Sequence, residues 1–137
     1  MQTREQKILA ALGANLPDAP TCHGLRKRVR KLPSLYLRHG PAQVFLYLSG
    51  SDDDDKKLQQ IVLSALSTLR PESPLARHKG KDLFVALAGQ PLPDRLADQA
   101  LCVEIASWLS RMIEARYQEV EAQKEEQRRK GASGEAR

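Results

Sequence analysis

Residues 25–50, LRKRVRKLPSLYLRHGPAQVFLYLSG, decide how the rest of the chain is read. They hold the densest basic cluster and one of the two most apolar segments, and no acidic residue occurs between Asp18 and Asp52. On a helix, Leu25, Val29 and Leu32 share one stripe, the i, i+4, i+7 pattern of a packed face. Arg26, Lys27, Arg30 and Lys31 fall on the opposite side, with Arg28 on the flank. Pro33 lacks a backbone donor and crowds the preceding turn, so the helix is expected to kink or restart there. His39-Gly40-Pro41 reads as a stop followed by a start, because Gly tolerates positive φ and Pro suits a first helical turn. Val44 to Leu48 carry no charge, so this next helix is expected to be surrounded by others. One helix offers charge to a partner, and the following one anchors it.

The whole chain has 137 residues, enough for one domain with a real core. It is 41% hydrophobic but only 4% aromatic, so the core is built from Leu, Ala, Ile and Val, which suits packed helices. The net charge of +5 is modest, but acids collect at residues 52–55 and near the C-terminus, leaving the N-terminal half strongly basic. A polyanion is therefore the first partner to consider, nucleic acid before membrane. The apolar runs are far shorter than the roughly 20 residues of a membrane span, and MQTREQK does not open a signal peptide. A cytoplasmic protein is expected. Cys22 and Cys102 stand far apart without metal-ligand spacing and read as buried free thiols.

Taken in order, Thr3 caps a first helix with Gln6 as its capping-box partner, and Ile8, Leu9, Leu12 and Leu16 face inward. Helices over 22–39 and 41–50 follow. Residues 50–55 form a solvated loop whose aspartates favour the start of a fourth helix, 56–69. Four consecutive aspartates do not make a metal loop, because neighbouring side chains diverge and no coordinating Gly and Glu pattern follows. Residues 70–81 are mostly polar and carry a second basic group, Arg77, His78, Lys79 and Lys81. A short helix over 82–88 leads to the rigid connector Gly89-Gln90-Pro91-Leu92-Pro93. The last helix, 94–130, has Ala97, Leu101, Ile105, Trp108, Leu109, Met112, Ile113, Tyr117 and Val120 as its apolar stripe. The expected fold is all-α, a compact bundle of five or six helices with a long C-terminal helix. Residues 1–122 form a single domain, and 123–137 form a polar tail, either an extended helix end or disordered.

No catalytic motif is visible: no phosphate-binding glycine loop, no nucleophile in a local signature, and three scattered histidines, His23, His39 and His78. No metal or cofactor is implied, and no enzyme is expected. Basic side chains on one helix face match backbone phosphates by charge and bidentate geometry without reading bases. Acids that could neutralise them at i, i+4 are missing from the segment. With so few aromatics, base stacking is not the mode of contact.

Arg30-Lys31-Leu32-Pro33, Leu35, Leu37, Gly40, Gln43, Val44, Phe45, Leu46 and Gly50 together resemble the small helical subunit of type III-B (Cmr) CRISPR effector complexes. The closing LADQALCVEIASWLSRMIEA looks like that family's last helix. His39 and Pro41 depart from the family pattern, and residues 70–93 have no clear counterpart. The resemblance implies a non-catalytic scaffold in antiviral defence, whose copies stack beside larger subunits that hold a guide RNA and its target. Its partners would be the backbone of the guide–target RNA duplex, the other subunits and further copies of itself. Sequence recognition would be left to base pairing. The expected contact residues are Arg26, Lys27, Arg30, Lys31, Arg38, Arg77, Lys79 and Lys81. The competing expectation is a helical protein–protein adaptor that binds no nucleic acid.

Overall fold

A computed structural model describes residues 2–50 and 52–135. Among them there is no strand, and seven helices form: α1 (Arg4–Asn15), α2 (Ala19–Val29), α3 (Leu32–Ser49), α4 (Asp53–Leu69), α5 (Pro74–Arg77), α6 (Gly80–Ala88) and α7 (Leu92–Glu135). The all-α class and the long C-terminal helix are as expected. The number is not five or six, because the polar stretch after α4 contains α5, a single turn begun by Pro74 and anchored by buried Leu75.

Local chemistry sets the boundaries. Thr3 and Gln6 form the reciprocal capping box of α1. Asp18 caps α2 by accepting from the Thr21 amide, and the helix begins three residues before the expected start at Cys22. It ends at Val29, and α3 restarts with Pro33 in its first turn. The expected break at Gly40 is present inside α3, where φ 80° and ψ 164° are values that only glycine adopts readily. Pro41 cannot donate to the carbonyl of Leu37 four residues back. Gln99 of α7 donates instead, reaching the Tyr36 and Leu37 oxygens at 3.0 and 2.9 Å. The break is thereby stitched to the long helix.

The core gathers Ile8 and Leu12 from α1, Leu25 and Val29 from α2, and Leu32, Tyr36, Val44 and Leu48 from α3. Leu58, Val62 and Leu66 of α4 join Leu101, Ile105, Leu109 and Ile113 of α7. The Leu25, Val29, Leu32 stripe is buried as expected. The second half of α3 departs from expectation: it turns Pro41, Val44 and Leu48 inward but leaves Tyr47 62% exposed and Leu46 49% exposed. Helical geometry is the reason, since an apolar run longer than one face must show its other face to water unless neighbours cover it.

The aspartate run is also less solvated than expected. Asp52 caps α4 by accepting from the Asp55 amide at 3.1 Å, α4 starts at Asp53, and Asp55 is buried. Ser51 lies outside the described residues. In α7, Pro91 accepts from the Arg95 amide, so the helix starts two residues before Asp94. The helix continues to Glu135, and past Glu121 every side chain described is exposed. Short ion pairs lace this end: Lys124–Glu121, Arg129–Glu125 and Lys130–Glu126. Residues 136 and 137 of the expected tail lie outside the described residues.

Candidate nucleic-acid interface

The basic cluster does not lie along one helix as expected: Arg26, Lys27 and Arg28 stand on α2, while Arg30 and Lys31 fall in the link to α3, because α2 ends at Val29. Its arginines meet acids that come from other elements. Arg26 grips Glu114 of α7 with both arms of its fork, Nε at 2.6 Å and Nη2 at 2.9 Å, and lies 4.0 Å above the Tyr117 ring. His23 rests on the other part of this assembly, its ring centroid 5.1 Å from that of Tyr117. Arg30 reaches the same carboxylate at 3.1 Å. The Arg26 guanidinium, helped by Gln118, holds the Glu114 carboxyl down to about 2, far below the ordinary glutamate value. One carboxylate therefore faces two guanidiniums.

Arg28 is neutralised more completely. It pairs with Asp52 at 2.5 Å and Asp55 at 3.1 Å, with Asp54 at 3.8 Å. The aspartate run therefore has an internal use: it caps α4 and ties α2 to it. Lys27 and Lys31 are exposed, and no acid of the described chain pairs with them. The expectation that the whole cluster stands unopposed is thus corrected for Arg26, Arg28 and Arg30. Acids distant in sequence supply what the segment lacks.

The remaining expected contact residues lie elsewhere. Arg38 sits at the end of the first half of α3, exposed and without a hydrogen bond or ion pair within the described chain. Arg77 closes α5, while Lys79 and Lys81 flank the start of α6, all exposed. Gly80, with φ 58°, turns the chain between them. Arg38 shares an open groove of about 470 Å3 with Leu75 of α5, Leu87 and Ala88 of α6, and Arg95 and Gln99 of α7. The groove therefore brings the α3 break beside the α5–α6 unit that carries the second basic group.

A buried polar knot forms part of the groove wall, through Asp98 and Gln90. Asp98, 2% exposed, accepts from Arg70 Nε at 2.6 Å, Ser73 Oγ at 2.7 Å and Gln90 Nε2 at 2.8 Å. It joins the end of α4, the start of α5 and the connector into α7. Sequence reasoning missed it, although a signal existed: Asp98 interrupts the stripe that continues through Leu101 and Ile105. It also missed Arg95.

Among the described residues, the thiols and histidines form no second constellation. Burial pushes the Cys22 thiol up and the Cys102 thiol to about 12, so neither is an available thiolate at neutral pH. The three histidines stand on separate elements: α2, α3 and the link between α5 and α6. Among the described residues, no three His, Cys, Asp or Glu side chains gather as a metal site, and no helix is long and apolar enough to cross a membrane. Comparison of the chain with protein-family models, curated proteins and solved structures finds no match.

Proposed function

We propose that this protein is a non-catalytic, RNA-contacting scaffold subunit, of the kind the small helical subunits of type III-B CRISPR effector complexes represent. The observation that carries this reading is a set of exposed cations with no acidic partner in the described chain: Lys27, Lys31, Arg38, Arg77, Lys79 and Lys81. Phosphate backbone is the partner such groups suit, in a contact that is sequence-independent and weakened by salt. Assembly with other subunits and with further copies of the chain is supported by exposed apolar side chains. Leu37, Leu46 and Tyr47 project from α3, Phe84 and Val85 from α6, and Leu92 and Leu96 from the start of α7.

The test is a tagged pull-down from the native host, with bound RNA sequenced and companion proteins identified. Guide RNAs derived from repeat arrays, recovered with larger RNA-binding subunits, are the expected companions. Recovery of an acidic protein without RNA would replace this function with that of a helical adaptor.

A further inference from the structure

The groove at the α3 break has a composition that bare phosphate contact does not require. Its volume, about 470 Å3, lies within the roughly 300–1,000 Å3 of small-molecule sites and far exceeds what a single phosphate fills. Two guanidiniums line it, Arg38 and Arg95. Arg38 has no partner in the described chain, and Arg95 gives only one bond, from Nη2 to the Leu87 carbonyl at 3.3 Å. Apolar wall comes from Pro41, Leu75, Leu87 and Ala88. Three primary amides, Gln43, Gln90 and Gln99, also line it, together with His39 and Asp98.

The free chemistry of those amides can be counted. Gln99 spends its NH2 on the Tyr36 and Leu37 carbonyls, and Gln90 donates to Asp98, which leaves the Oε1 of each as an acceptor. Gln43 makes no bond and keeps both functions. The one acid of the lining, Asp98, turns both its oxygens to partners: it accepts from Arg70, which also meets Glu72 at 3.4 Å, and from Ser73 and Gln90.

We infer that this groove binds a nucleoside monophosphate unit, either free or as one nucleotide within an RNA strand. The phosphate takes the forks of Arg38 and Arg95, the geometry in which guanidinium and phosphate match best. The base lies against the apolar wall, and its amino and imino edges meet the glutamine oxygens. This goes beyond the backbone contacts proposed above and does not depend on them.

The test follows the side-chain amide signals of Gln43, Gln90 and Gln99 by NMR in the full-length chain. The probes are AMP, CMP, adenosine, inorganic phosphate and a short single-stranded oligoadenylate. Saturable shifts with AMP or CMP are expected, with adenosine and phosphate each needing at least tenfold higher concentration. R38A/R95A should weaken AMP binding at least tenfold. Ala88→Phe, which fills the groove without changing charge, should do the same, so a folding defect in one variant does not decide the matter. Oligoadenylate moving the same amides identifies the unit as part of a strand. AMP binding without oligoadenylate binding identifies a free nucleotide, and the groove then stands while the RNA-scaffold reading falls. The groove is overturned if AMP produces no saturable shift, or if phosphate alone reproduces it at equal concentration. RNA that binds, leaves these amides unmoved and tolerates R38A/R95A, together with AMP that gives no saturable shift, overturns the groove and keeps the scaffold reading intact.

Discussion

Glu114 and Asp98 show how single carboxylates hold this bundle. Glu114 titrates near 2 in the folded chain and near the ordinary 4.5 when unfolded, so the folded state binds fewer protons between those values. Its contribution is fully present above about pH 4.5 and is lost as pH falls toward 2. A Glu114→Gln variant should therefore melt below wild type at pH 6, with the gap narrowing below pH 4.5 and closing near pH 2. A gap that stays constant across that range would show that Arg26 does not act through this charge. Asp98 sits deeper. Replacing it with Ala leaves Arg70, Ser73 and Gln90 without their acceptor, and breaking a buried pair of this kind costs about 3–5 kcal/mol. Urea denaturation at unchanged slope measures it, and a loss below about 1 kcal/mol would remove the knot from the stability of the fold. Neither partnership is readable from sequence, because Arg26 and Glu114 stand 88 residues apart and Arg70 and Asp98 stand 28 apart. The spacing of apolar residues carries no information about which charge a distant helix will present.

Most of the elements were legible, and those that were not failed for specific reasons. Pro33, Gly40 and Pro41 punctuate the chain where their backbone chemistry requires it, so the restart before α3 and the break within it follow from residue type alone. The turn α5 escaped because four residues show no periodicity; only Pro74 and the burial of Leu75 define it. The aspartate run looks solvated in the sequence because charge density there says nothing about an arginine brought from α2. A protease can report the difference. Residues 52–56, DDDDK, spell the recognition site of enteropeptidase, but here they cap and open α4, with Asp55 held by Arg28. The native protein should resist cleavage after Lys56 for as long as it stays folded, and Arg28→Ala should be cut much faster. Rapid cutting of the wild type under native conditions would mean that the first turn of α4 is open.

Across the whole molecule, the charge asymmetry seen in the sequence survives folding in altered form. Acids at the start of α4 and on α7 pair with Arg26, Arg28 and Arg30, while the lysines beside them and the cations around α5 and α6 remain uncovered. Fold class was legible because apolar spacing records it directly; the distribution of free charge was not, because it depends on where the helices meet. The central claim is that unpaired cations, rather than the acid-bound arginines, hold RNA. The measurement that tests it most directly is the binding of a labelled single-stranded RNA to the full-length protein at about 50 and 200 mM salt, with two charge-reversal variants compared. K27E/K31E/K79E/K81E should weaken binding at least tenfold, flatten the salt dependence and leave helicity unchanged. R28E, which reverses an arginine already matched by three aspartates, should weaken RNA binding far less and chiefly lower stability. RNA binding that is independent of salt, or undiminished in the four-lysine variant, would contradict the account.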